Sequence, residues 1–186
     1  MLVDIVELLK EDRVAGVRRL VAEYGNRLYE TAIRLCGNTA DAEDYAFRTL
    51  ERAVSKIGTF RSSSSFFTWL YEILVNQIRS DMRRKAANAL DFTDSLPEQA
   101  DPRPEPADAL AAREEAESVR SSIDRLPYAL REIVVFRYWE DLTVPEIAKI
   151  LAIPEGTVKS RLHQAKNLMR MIISRTIDGM PSSKEV

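Results

Sequence analysis

Four prolines, Pro97, Pro102, Pro104 and Pro106, stand in one short stretch of a chain that is otherwise patterned for helices. Proline lacks the backbone donor a helix needs and clashes with the preceding turn, so no continuous helix can cross 87–107. On either side, apolar residues recur at three- and four-residue spacing, without sustained strand-like alternation. Glycine is scarce, six residues in 186, and Leu, Ala, Arg and Glu dominate, a composition that favours helices. The expectation is an all-α protein with two small helical domains, at 1–86 and 108–177. A linker at 87–107 joins them and a flexible tail follows at 178–186.

The periodicity places the helices. Leu2, Ile5, Val6 and Leu9 mark a short first one. Val17, Leu20, Val21, Tyr24, Leu28, Ala32 and Leu35 line a second, stopped at Gly37-Asn38. Ala42, Ala46, Leu50, Ala53 and Ile57 line a third that starts near Asp41. Gly58 and the Ser62–Ser65 run form a loop. The spacing predicts a fourth helix from about Phe66 to Lys85, with Trp69, Leu70, Ile73, Leu74 and Ile78 inward. Helices resume near Asp108 and pass through Val119, Ile123 and Leu126. Pro127 fits the first turn of the next helix, whose inner face is Leu130, Ile133, Val134 and Tyr138. Glu140-Asp141 makes a turn. Thr143-Val144-Pro145-Glu146 reads as a capping box, with the Thr oxygen accepting from the backbone and the Glu reaching back.

The net charge of −2 hides an uneven distribution. Arg79, Arg83, Arg84 and Lys85 form one basic cluster, and Lys159, Arg161, Lys166, Arg170 and Arg175 another. Between them lie Asp91, Asp94, Glu98, Asp101, Glu105 and Asp108. This acidic stretch is either a passive tether or a guide for nucleic acid. Cys36 is the only cysteine, so no intrachain disulfide can form, which fits a reducing cytoplasm. It reads as a small apolar residue on a helix. Asp4, Glu7 and Lys10 interrupt the apolar residues at the start, so no secretory signal is expected there. No stretch approaches the ~20 apolar residues of a membrane helix.

Residues 143–165 have the layout of a helix-turn-helix. Ala148 is small enough for a steep crossing, and Ile147, Leu151, Ile153, Val158 and Leu162 would seal it. The turn is Ala152-Ile153-Pro154, and the second helix starts at about Glu155. It would present Glu155, Thr157, Lys159, Ser160, His163 and Gln164 outward, where such a helix reads base edges in the major groove. Lys159 and Arg161 can neutralise phosphates. The alternative is a plain helical hairpin with a solvated charged face. His163 has no Cys or second His to form a metal site with, and a solvated surface role is its ordinary reading.

The run from Ile153 to Ala165, with Gly156-Thr157-Val158-Lys159-Ser160-Arg161 at its centre, closely resembles region four of the extracytoplasmic-function sigma factors of the sigma-70 family. Leu126-Pro127 and Tyr138 to Ala148 extend the likeness. The resemblance implies binding to the minus-thirty-five promoter element and contact with the polymerase flap. It places Thr157, Lys159, Ser160, Arg161, His163 and Gln164 at the DNA. Gln164 stands where Arg is common, and Ala152 where Gly, Asn or Asp is usual; a left-handed alanine costs about 1–2 kcal/mol.

Residues 12–85 resemble region two of the same family. Asp41-Ala42-Glu43-Asp44 with Arg52-Ala53 is similar to the helix that docks on the polymerase clamp. This assigns Asp41, Glu43, Asp44, Phe47, Arg48, Glu51 and Arg52 to core RNA polymerase. Phe47 departs from the usual Gln and is either an interface contact or a core residue. Phe60-Arg61, Phe66, Thr68-Trp69-Leu70-Tyr71, Ile73 and Asn76 resemble the segment that melts and reads the minus-ten element. The implied DNA residues are Phe60, Arg61, Ser62, Ser63, Ser64, Ser65, Asn76, Arg79, Arg83 and Arg84. Extruded bases need aromatic and amide surfaces, and the strand needs cations. Trp69 is expected to be largely core. Glu72 and Ser80 depart from a usual Arg and a usual Asp or Asn.

The reading is therefore a transcription initiation factor that lends promoter recognition to RNA polymerase, with no catalytic residue, cofactor or metal of its own. Family resemblance adds an anti-sigma protein and a cytoplasmic location, tethered at the membrane only through such a partner. Three rivals differ in what they leave unexplained. A conventional helix-turn-helix regulator ignores the aromatic and amide segment at 60–76. A recombinase needs a catalytic cluster. A protein that only titrates a partner predicts no promoter-specific transcription.

Overall fold

The computed structural model describes residues 5–61, 65–89 and 123–178. All regular structure among the described residues is helical, and the chain splits into two compact units whose principal parts lie before residue 90 and after residue 122. Leu2, Ser62–Ser64, most of the 87–107 linker, Val119 and the 179–186 tail fall outside the described residues.

In the first unit, α1 spans Ile5–Glu11 and buries Ile5, Val6 and Leu9. Helix α2 spans Arg13–Cys36. The Asp12 side chain caps its start, accepting from the Val14 and Ala15 N–H groups at 3.1 and 3.0 Å, as an N-cap must. Gly37 ends it at φ 72°, a conformation that costs glycine little. Asn38 then caps α3, Thr39–Lys56, by accepting from the Asp41 N–H at 2.9 Å. A 3₁₀ turn, Ile57–Thr59, follows. Helix α4 runs Phe66–Ala89, four residues beyond the expected end.

The expected inner faces hold at Leu20, Leu28, Ala32, Leu35, Ala42, Ala46, Ala53, Leu70, Leu74 and Ile78, all buried. Val21 is a correction: half of it is exposed, because the buried stripe of α2 runs through Leu20 and Leu28. Leu50, Trp69 and Ile73 are half-buried rather than inward. Polar residues share this core. The Thr31 hydroxyl donates to the Arg27 carbonyl at 2.8 Å and meets the Tyr71 hydroxyl at 3.1 Å. The Gln77 amide donates to Thr49 Oγ1 at 3.0 Å, and Thr49 in turn donates to the Tyr45 carbonyl. Such cross-helix bonds fix register where apolar contact alone would let helices slide.

In the second unit, α5 spans Tyr128–Tyr138, with Pro127 in the N-cap position just ahead of it. Arg131 reaches back to donate to the Asp124 and Leu126 carbonyls, satisfying the end of the preceding turn. Ile123, Leu126, Val134 and Ala165 form a core cluster, with Leu130, Leu168 and Met169 packed against it. Tyr138 is the second correction, being 63% exposed. The buried stretch of α5 is Glu132–Phe136, and Tyr138 is its final residue. Helix α6 spans Val144–Leu151 and α7 spans Glu155–Asp178.

Candidate functional site

The helix-turn-helix is built by two local devices. At the start of α6, Glu146 Oε2 accepts from the Thr143 N–H at 2.8 Å and from the Thr143 hydroxyl at 2.6 Å. Half of the expected capping box is thus present. The Thr143 hydroxyl is a donor to the carboxylate rather than an acceptor from the backbone. These two bonds, the hydroxyl's first, hold the Glu146 carboxyl below its ordinary range, with burial opposing them. At the turn, Ala152 sits at φ 53°. A non-glycine residue is strained there. Pro154 then starts α7, its carbonyl taking the Thr157 and Val158 N–H groups at 2.9 and 3.2 Å.

Ile147, Ile150, Leu151 and Val158 are buried, while Ala148 is half-buried. Residues 147, 150 and 151 make one helical stripe, and 148 lies about 100° to its side. On α7, Lys159, Ser160, His163 and Gln164 are exposed, as expected, and Thr157 is half-buried. The Ser160 hydroxyl donates to the Thr157 carbonyl at 3.0 Å, and the His163 ring meets the Asn167 amide at 3.0 Å. Arg161 does not join this face. Its Nη1 stands 3.9 Å from Glu132 Oε1; the Arg161 side chain is 29% exposed and that of Glu132 only 1%.

On α3, Glu43, Asp44, Phe47, Glu51 and Arg52 are exposed. Phe47 is 68% exposed, which removes the core reading of this residue. Asp41 and Arg48 turn toward α4. Lys85 Nζ lies 2.8 Å from Asp41 Oδ2, and Arg48 Nη1 donates to Asp44 at 2.8 Å and to Asp81 at 3.2 Å. The Arg48 guanidinium is held in its protonated form chiefly by Asp44, with Asp81 adding to it. Asp81 and Tyr45 are both buried. Burial first, and the Asp81 charge second, push the Tyr45 hydroxyl up to about 12. Cys36, the last residue of α2, is half-buried and donates to the Asn38 carbonyl at 3.3 Å. Burial pushes its thiol up, consistent with an unreactive side chain.

The segment around α4 carries an aromatic cluster. Phe60 stands edge-on to Phe66 at 5.5 Å and lies 5.3 Å from Trp69; Phe66 and Trp69 are 5.7 Å apart. From α2, Tyr24 meets Phe66 at 5.7 Å and Phe67 at 6.3 Å. Arg27 lies over the Phe67 ring at 4.0 Å. Ser65 caps α4, accepting from the Thr68 N–H at 3.1 Å and meeting the Thr68 hydroxyl at 2.8 Å. From Trp69 in the cluster, Asn76 and Arg83 follow at seven-residue intervals. That spacing is two helical turns, so the three share one face of α4 about 10 Å apart. Asn76 and Arg83 are exposed, as is Arg61, and Arg79 is half-buried. Arg84 Nη2 lies 3.1 Å from Asp81 Oδ1.

Sequence reasoning missed Asp81, Glu132, Phe67 and Arg27, and placed Tyr24 only on the apolar stripe of α2. Asp81 had a signal: it falls in phase with Leu74 and Ile78, where a charge demands a partner. Arg27 and Phe67 had none, because their contact joins different helices.

A helix-turn-helix unit and a helical unit that aligns a half-buried tryptophan with an exposed amide and an exposed cation define a DNA-binding all-α protein. The family described as Sigma-70 region 2 matches residues 20–88, and that described as Sigma-70, region 4 matches residues 116–169. The chain is 30% identical over 181 residues to the ECF RNA polymerase sigma factor SigW of Bacillus subtilis (strain 168), an alignment covering 89% of this chain and 97% of that protein. It is 28% identical over 175 residues to the RNA polymerase sigma-H factor of Pseudomonas aeruginosa, covering 87% and 88%. Among solved structures, its fold is similar to that of the sigma factor RpoE in complex with the anti-sigma factor NepR from Bartonella quintana. The TM-score is 0.73 at 24% identity, covering 84% of this chain and 96% of that one. CnrH in complex with the cytosolic domain of CnrY gives a TM-score of 0.65 at 21% identity, covering 95% and 97%.

The chain belongs to the extracytoplasmic-function sigma factors of the sigma-70 family. It is an RNA polymerase sigma factor, whose partners are core RNA polymerase and promoter DNA. No helix among the described residues is long and apolar enough to cross a membrane.

Proposed function

We propose that the promoter is read at two surfaces and the polymerase at a third, with residues 1–86 acting as region two and 108–177 as region four. The outer face of α4, with Phe60, Arg61, Ser62–Ser65, Asn76, Arg79, Arg83 and Arg84, takes the opened minus-ten strand. The outer face of α7, led by Lys159, Ser160, His163 and Gln164, takes the upstream duplex element. Glu43, Asp44, Phe47, Glu51 and Arg52 on α3 meet core polymerase. The protein performs no chemistry itself, acts in the cytoplasm, and is held inactive by an anti-sigma partner. The relatives of similar fold in complexes with anti-sigma proteins support that last element.

One observation carries the strand-reading assignment: Trp69, Asn76 and Arg83 recur on the face of α4 opposite its buried residues. That order supplies a stacking surface, an amide that both donates and accepts, and a phosphate partner along one line. Phe60 and Trp69 are packed on each other and on Phe66, so the stacking surface is the half-buried edge that the two rings share.

Asn76→Ala tests it. Losing a base contact costs about 1–3 kcal/mol, or roughly one to two orders of magnitude in open-complex formation. On a pre-melted template, a defect that persists and shifts with the base at one position supports reading; full recovery assigns Asn76 to opening alone. Wild-type opening with unchanged base preference removes it from the surface.

A further inference from the structure

Of the residues assigned to polymerase docking, Arg48 is the one bonded to a buried group on the DNA-reading helix. Asp81 on α4 is 8% exposed and lies against α3. Arg48 Nη1 donates to Asp81 Oδ2 at 3.2 Å and, from the same nitrogen, to Asp44 Oδ2 at 2.8 Å. Asp44 is exposed, on the turn that also carries Glu43 and Phe47. A line of carboxylate, guanidinium and carboxylate therefore runs from the interior of the unit to its docking face. Arg84 occupies the second Asp81 oxygen at 3.1 Å, so Asp81 is held from both helices. An exposed pair four residues apart on one helix is too weak to fix a side chain as long as arginine. A buried carboxylate is little screened by solvent and can.

We propose that Asp81, on the strand-reading helix, is a positioning residue for polymerase docking: it fixes Arg48, and Arg48 fixes the Asp44 carboxylate in the orientation that a donor group on the polymerase meets. The proposal rests on the reading of α3 as the docking face. A buried ion pair adds little net stability compared with an apolar pair of the same volume, so its contribution here is orientation. Ordering such a side chain before association strengthens binding by about three- to tenfold.

The test is equilibrium binding of the full-length labelled chain to core polymerase without promoter DNA. Asp81→Asn should weaken binding by that factor with its helical circular dichroism unchanged. In an Arg48→Ala background, Asp81→Asn should have no further effect, because the route through Arg48 is already cut. Wild-type affinity in Asp81→Asn, or the same loss in both backgrounds, overturns the proposal. If Asp81→Asn does not fold, Arg48→Met decides: it keeps an unbranched stem of similar reach but has no donor for either carboxylate, so it should lose the same factor, and wild-type affinity overturns the proposal. Phe47→Ala separates the two levels. Unchanged affinity there overturns the docking reading and the proposal with it, whereas a loss there beside wild-type affinity in Asp81→Asn overturns the proposal alone.

Discussion

Alanine at Gly16 should destabilise the first unit, whereas alanine at Gly25, further along the same helix, should stabilise it. A Cβ at Gly16 would stand 2.7 Å from Leu9 Cα, 2.8 Å from Leu9 N and 2.9 Å from Leu9 Cδ2. Two of these atoms are backbone, so no rotamer change relieves the clash, and α1 must back away from α2. Ile5, Val6 and Leu9 are buried there and resist that movement. Overpacking of this kind costs about 1–3 kcal/mol, and a clash with backbone belongs at the upper end. The helix preference for alanine returns about 0.5–1 kcal/mol. The net loss is about 2 kcal/mol, or roughly 10 °C in the Tm of a unit this size. At Gly25 a Cβ meets only Val21 Cγ1, at an ordinary 3.6 Å, so the alanine preference acts alone and Tm rises by a few degrees. The chain has two tryptophans. With Trp139→Phe as background, Trp69 emission in a urea titration reports the first unit alone. Equal midpoints for Gly16→Ala and its parent would refute the close approach of the two helices.

Ala152→Gly should stabilise the second unit by about 1 kcal/mol in a thermal melt, since relief of the left-handed strain outweighs glycine's extra freedom when unfolded. Thr143→Val removes the hydroxyl that most lowers the Glu146 carboxyl. A carboxyl depressed in the folded state stabilises above its unfolded pKa and loses that contribution as pH falls through the folded one; the deficit of Thr143→Val should therefore be present at pH 7 and shrink toward acid. Lys159→Ala should lower the salt slope of upstream-element binding by about 0.9, whereas Arg161→Ala should leave the slope unchanged and lower the Tm of the second unit.

The helix boundaries were legible where the sequence carries a stop or a cap. Gly37 ends α2, Pro154 precedes α7, and Ser65 opens α4. The apolar stripes gave most of each core face. They were silent on Tyr45, Thr49, Thr31 and Gln77, because burial of a polar side chain depends on a partner distant in sequence. The same blindness governs the sites. Arg48 and Arg161 read as surface cations, yet their partners, Asp81 and Glu132, lie on other helices. Tyr138 fits the apolar phase of α5 but sits where the helix ends, beyond the residues that bury it.

A count of cations overstates the charge available to DNA, because some cations are already paired within their own unit. Arg84 pairs with Asp81, Lys85 with Asp41 and Arg161 with Glu132. The first two cations are well exposed, with Arg84's side chain 68% and Lys85's 64% accessible. The Lys85–Asp41 pair is exposed on both sides and worth about 0–1 kcal/mol, so a phosphate can take Lys85 at little cost; Asp81 is buried but keeps Arg48 when Arg84 leaves it. Arg161 differs because it is itself only 29% exposed and its partner's carboxylate is almost wholly buried. Drawing Arg161 away takes one neutralising charge from a buried carboxylate, at the long separation of 3.9 Å. Lys159, on the exposed face of the same helix, can release a counterion to DNA, whereas Arg161 faces Glu132 of α5. The cations that set salt dependence are thus the well-exposed ones, Lys159 among them on the reading helix, and Arg161, turned to a buried carboxylate, contributes less.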